Sequence, residues 1–320
     1  MLRTRLAFGV LMIGAFVTVL GLDEGLGLAP WYPHWFVTGL IVLGMAALEI
    51  VGLLNQTSAR PSGNTVFGGV LALVIANWAP HVTAQLTRQT FPHLAMLGLP
   101  GSVSGMGFDP AGPISVLSWP LWAFVGVVMF AFIAQSAQFE RPGATMATIS
   151  GTVLAVAYIG LLGSFLLQLR WLDDGLVPLL ALVATAKGAD TGAYTLGRLA
   201  GRHKLWPRLS PNKTVEGALG GLVFGVAAAL AVVAVAREAF GVAALSWPAA
   251  VGFGVVVGTA AQLGDLMESM IKRDCARKDA SAAVPGFGGV LDVLDSLLFA
   301  APVAYGYWLL FGPVAPGPGY

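Results

Sequence analysis

Charge and cysteine are what this chain has least of. Only 10% of its 320 residues are charged while 57% are hydrophobic, and the mean hydropathy is +0.79. A soluble globular domain carries about 25% charged residues, so that class is excluded and a chain immersed in lipid is expected. The net charge of +1 says nothing about partners by itself, and no nucleic-acid partner is expected. The single cysteine, Cys275, rules out an intrachain disulfide and a thiolate zinc site, which leaves a bystander thiol. Low-complexity tracts and internal repeats are also missing, and with them any support for an inverted-repeat transporter.

Long apolar runs are what the chain has in abundance. A helix needs roughly 20 apolar residues to cross a bilayer. Nine such stretches occur, at about 6–22, 36–54, 65–86, 115–136, 145–169, 175–196, 217–236, 246–268 and 290–311. They predict an all-α, polytopic transmembrane bundle. Arg3 and Arg5 precede the first run as they would in a signal peptide, but Asp23-Glu24 follow it in place of a small-residue cleavage site, so it counts as a span.

Basic residues sort by alternate loops. Arg3, Arg5, Arg60, Arg141, Arg198, Arg202, Lys204, Arg208, Lys213, Lys272, Arg273, Arg277 and Lys278 fall on one side, and Arg88, Arg170 and Arg237 on the other, thirteen against three. Cytoplasmic loops hold the excess of Lys and Arg, so the N-terminus and the polar loops are expected in the cytoplasm, with the chain in the inner (plasma) membrane. The connection at about 87–114 is rich in Gly and Pro and carries no catalytic group.

Residues 1–186 hold six Lys/Arg and seven Asp/Glu, whereas residues 187–295 hold eleven and nine. This predicts scaffold helices over 1–170 and a catalytic region over 171–320. Three polar segments lie in the second part. In the first, Lys187, Asp190 and Thr191 share one face of the sixth span. Such residues in a membrane helix either pair with each other or face a substrate or wet cavity, and the spacing leaves both readings open. The second is a basic loop from Gly201 to Gly217, in which Ser210-Pro211-Asn212-Lys213-Thr214 reads as an ordered turn at a helix entrance. A lysine beside a helix N-terminus suits a phosphate, although the Gly spacing of a Walker loop is absent. His203 reads as an interfacial polar residue.

The third segment runs from Gly264 to Asp295. Asp265, Ser269 and Lys272 share a helical face, and Asp292 and Asp295 stand one turn apart at the start of the last span. Carboxylates on two helix ends suit a hard cation such as Mg²⁺, completed by nucleotide phosphates, while neighbouring bases take the remaining phosphate charge.

This third segment closely resembles the signature of phosphatidate cytidylyltransferases. Ser269, Lys272, Arg273, Lys278, Asp279, Ser281, Pro285, Gly286, Gly288, Gly289, Asp292 and Asp295 match that pattern, twelve positions in 27 residues. The stretches Gly192-Ala193-Tyr194, Gly197-Arg198, Gly201–Leu205 and Ser210–Thr214 resemble it too, so the likeness covers about 187–300. Phe287 and Val293 depart from the family's His and Arg, and Lys187 replaces an aromatic residue, which reads as a cation restored to the site.

The resemblance implies transfer of a cytidylyl group from CTP to phosphatidate, with CTP, phosphatidate and membrane lipid as partners, and a homodimer. It implies Mg²⁺, with a second cation as a further expectation, held by Asp265 and Asp292 with Asp295 and Asp190. Lys213, Lys272 and Arg273 would hold phosphate, and Lys187, Asp190, Ser210, Thr214, Ser269, Lys278, Gly286, Gly288 and Gly289 would line the substrates. The alternatives are a CTP-dependent polyprenol or phytol kinase, another lipid cytidylyltransferase, or an ion transporter.

Overall fold

The computed structural model of the chain describes residues 2–90, 116–139, 143, 145–284, 286 and 288–313. Pro285, Phe287, Arg141 and most of the Gly/Pro-rich connection lie outside these. Among the described residues nine long helices carry the fold: α1 (Leu2–Gly25), α2 (Pro33–Leu54), α3 (Gly63–Thr90), α4 (Ser118–Ala137), α5 (Thr145–Trp171), α6 (Leu176–Ala200), α7 (Val215–Ala239), α8 (Trp247–Asp274) and α9 (Leu291–Phe311). Among the described residues, eight are long and apolar enough to cross a membrane. The ninth, α6, is the sixth expected span and carries Lys187 and Asp190. The protein is a helical polytopic membrane protein, and its outward surface fits that solvent. Val10, Ile13, Ile41, Trp122, Phe130, Val223 and Leu310 are all exposed, where lipid tails would take the place of a protein core.

Two compact units divide the chain. One comprises Met1–Leu167 with Ser281–Val290, the other Gln168–Ala280 with Leu291–Tyr320. In the first, the buried Asp23 carboxylate accepts the N–H groups of His34 and Trp35 at 3.2 and 2.9 Å, satisfying donors that the start of α2 leaves open. The Trp35 indole then donates to the Leu167 carbonyl at 3.2 Å, and Asn77 of α3 donates to Ser164 of α5 at 2.8 Å. Such bonds give direction to helices that lipid alone does not push together.

In the second unit, α6 and α7 form a close antiparallel pair faced with small residues, among them Gly188 and Gly192 against the Phe224 turn. They are joined by the strands β1 (Lys204–Trp206) and β2 (Ser210–Thr214), paired antiparallel with Lys204 opposite Thr214 and Trp206 opposite Ser210. The segment expected as a turn at a helix entrance is therefore a strand. Its outer residues gain ladder partners from β1, and the helix begins only where the Thr214 hydroxyl caps the Gly217 N–H at 3.1 Å. Helix α8 is tied to α7 by Gln262, which donates to the Ala218 carbonyl at 3.2 Å. It runs to Asp274, six residues past the expected span end at 268, which keeps Lys272 on the same helix as Asp265 and Ser269.

Candidate functional site

The expected site residues of the second unit include three ion-paired groups. Lys213, near the end of β2, reaches Asp265 of α8 at 2.7 Å. Lys272, near the end of α8, pairs with Asp292 of α9 at 2.6 Å and with Glu268 one turn back. The Asp292 carboxylate also accepts the Ala280 N–H at 2.9 Å. In α6 the Lys187 ammonium donates to Asp190 at 3.2 Å, and to the Val293 carbonyl and Ser296 hydroxyl of α9 at 3.1 Å each.

Asp295 joins these groups. Gly264 packs against its backbone, where a Cβ would stand 2.6 Å from the Asp295 carbonyl, so only glycine lets α8 and α9 approach this closely. The buried Asp295 carboxylate interacts with the charges of Lys187, Asp265 and Asp190, and Glu268 with those of Asp292 and Asp295. Four elements thus place carboxylates and ammonium groups in alternation within one unit.

Other expected residues stand elsewhere. Arg273 is exposed and donates to the Arg277 carbonyl at 3.3 Å, and Lys278 is exposed. Ser269 and Ser210 are half-buried, and Thr214 is buried as the cap of α7. The entrance of α7 is also met by Glu216, whose carboxylate accepts the Arg202 and His203 N–H groups and the His203 ring at 2.6 Å. A phosphate there would meet that negative charge, which leaves Lys213, paired with Asp265, as the candidate anion-binding group of this segment. Gly286, Gly288 and Gly289 belong to the first unit's segment. Val284 and Gly288 exchange two backbone bonds around a turn in which Gly286 and Gly288 have φ of +85° and +104°, a region that favours glycine.

Two residues of this machinery were not singled out from the sequence. Ser296, fully buried, is bonded to Lys187, and Glu268, also fully buried, is paired with Lys272. The signal for Glu268 was in its spacing, three residues after Asp265 and four before Lys272. That places it on the helical face already assigned to the site.

Mg²⁺ suits these donors by type, since Asp190, Asp265, Asp292 and Asp295 offer hard carboxylate oxygens. No three His, Cys, Asp or Glu side chains among the described residues converge into a site sufficient by itself. A partial set is how Mg²⁺ is held when substrate phosphates complete its shell.

The cytidylyltransferase family model matches residues 3–311. A phosphatidate cytidylyltransferase of Staphylococcus aureus (strain COL) is 31% identical over 247 residues, covering 74% of this chain and 89% of its own length. The chain belongs to the cytidylyltransferase family. A second family member, a phosphatidate cytidylyltransferase of Bacillus subtilis (strain 168), is 30% identical over 258 residues, 77% of this chain and 92% of its own. That of Staphylococcus saprophyticus reaches 38% over 151 residues, 47% and 55%. Cytidylyltransferase membership extends the likeness from about 187–300 to nearly the whole chain and removes the ion-transporter alternative.

Proposed function

We propose that this protein makes CDP-diacylglycerol from CTP and phosphatidate, as a nucleotidyltransferase of phospholipid synthesis in the plasma membrane, with its site on the cytoplasmic side. A phosphate oxygen of phosphatidate attacks the α-phosphorus of CTP. The bond from that phosphorus to the bridging oxygen of the β-phosphate breaks, and pyrophosphate leaves with the electron pair. No bond to the enzyme is needed, so the residues act by alignment and by neutralising charge.

The observation that carries this reading is the pairing of Lys213 with Asp265 and of Lys272 with Asp292 beside the buried Asp295. A site for a polyphosphate and a phosphate monoester needs cations for the oxygens and carboxylates for a counter-ion, and until substrate arrives these charges must neutralise one another. Each lysine holds a carboxylate in place, and on binding it would swing its ammonium from carboxylate to phosphate. When bound, Mg²⁺ would supply Lewis-acid neutralisation of the phosphate oxygens, with Asp265 and Asp292 as its holders and Asp295 and Asp190 beside them. Membrane helices suit the lipid substrate, whose acyl chains stay in the bilayer while its phosphate meets a water-soluble nucleotide.

The test is purified protein with CTP and Mg²⁺, offered phosphatidate in one reaction and a polyprenol or phytol in another. The expected products are CDP-diacylglycerol and pyrophosphate in equal amounts. CDP released with a phosphorylated polyprenol or phytol, and no pyrophosphate, would replace the proposal with the lipid-kinase reading.

A further inference from the structure

Helix α2 is apolar along its length except for its ends and Glu49. A carboxylate in a membrane helix is costly unless it has specific partners, and in this one the partners belong to the signature segment. One Glu49 oxygen accepts both the Ser281 hydroxyl at 2.7 Å and the Val290 N–H at 3.0 Å. Those donors are the first and last residues of the 281–290 segment that packs in the first unit. Between them, Ser281 also accepts the Ala283 N–H at 3.0 Å, and Val284 and Gly288 close the turn at 2.7 and 3.0 Å. Gly289 lies directly on the carboxylate: a Cβ there would stand 2.8 Å from the Glu49 Cδ and 2.9 Å from Oε1. A side chain at this position would have to displace the Glu49 carboxylate from its donors.

We infer that Glu49 is a positioning residue for cytidylyl transfer, holding both ends of the Ser281–Val290 loop and so fixing the Gly-rich turn in its working conformation. The inference rests on the proposed reaction for its kinetic consequence, but not for its structural one. Its chemistry is that of a hydrogen-bond acceptor. One oxygen serves two donors, bonds that an amide oxygen can also accept and a methyl group cannot.

The full-length enzyme in lipid nanodiscs tests this with Glu49→Ala, Glu49→Gln and Ser281→Ala. Glu49→Ala is expected to lower kcat at least tenfold with less than threefold change in KM for CTP, while Glu49→Gln retains more than a third of kcat. Independently of activity, Ala282→Cys is introduced at an exposed loop position. Its labelling by a maleimide should speed up severalfold with Glu49→Ala and stay unchanged with Glu49→Gln. If Glu49→Ala does not fold, Ser281→Ala carries the test, with an expected intermediate loss of kcat and intermediate labelling. A folded Glu49→Ala or Ser281→Ala enzyme with unchanged kcat and labelling would overturn the inference. Wild-type protein that makes no CDP-diacylglycerol would instead remove the proposed reaction, and the labelling comparison would still decide the role of Glu49.

Discussion

Lys187 stands where the resemblance to the family leads one to expect an aromatic residue, and its ammonium donates to the main chain of Val293, another such departure. Where the family has an arginine side chain, this protein brings a cation from α6 to the same backbone position. Its side chain keeps 41% of its exposure, enough to leave Asp190 for a phosphate oxygen. Lys187→Met is therefore expected to cut kcat/KM at least tenfold, about 1.4 kcal/mol of transition-state stabilisation, with thermal stability nearly unchanged. A clear stability loss rescued by the double change with Asp190→Asn would identify a structural ion pair instead. Asp265→Asn and Asp292→Asn each remove a metal-directed charge while keeping shape. Turnover should fall at least about a hundredfold in each, and near-normal turnover at low Mg²⁺ would strike that residue from the set.

At the scale of elements, hydropathy located the nine helices of the described residues to within a few residues, save at the C-terminal end of α8. There the charged residues Glu268, Lys272 and Arg273 end the apolar run while the helix continues. Apolar runs report lipid thickness, not the backbone bonds that carry a helix past it. The β1–β2 hairpin was illegible for a related reason: Pro211 and Asn212 read as turn residues, and only pairing with β1 makes a strand of them. The hairpin and the α8–α9 connection are both expected in the cytoplasm. Arg208→Cys and Lys278→Cys in right-side-out vesicles should resist an impermeant thiol reagent and react once the membrane is opened. Ready labelling from outside at either position would reverse the topology. Burial pushes the Cys275 thiol up from its ordinary value, with Asp274 adding to the effect, so the native cysteine should contribute little background.

For the molecule as a whole, the family motif made most of the second-unit site legible, because Asp265, Lys272, Asp292 and Asp295 are close in sequence and on two helices. Lys213 stood out in the sequence as a candidate anion binder, but its pairing with Asp265 crosses 52 residues and follows only from the fold. Glu49 was not legible as a partner of the signature, since nothing in an apolar helix says where its one internal carboxylate points. Chelation tests how the parts work together. Removing Mg²⁺ should abolish transfer and leave the lysine–carboxylate pairs to hold the fold, so that activity returns on adding Mg²⁺ with no change in Tm in between. An unfolding step on chelation would make the metal structural.

The reach of Glu49 also sets a schedule. It enters the membrane 232 residues ahead of Ser281, which at ribosomal speeds of about 5–20 residues per second is an interval on the order of ten to fifty seconds. For that time α2 must carry a carboxylate whose two signature donors have not yet been synthesised. A nascent chain arrested before residue 281 is therefore expected to expose Glu49 to crosslinking by the insertion machinery, and release of that crosslink should coincide with emergence of the signature from the ribosome.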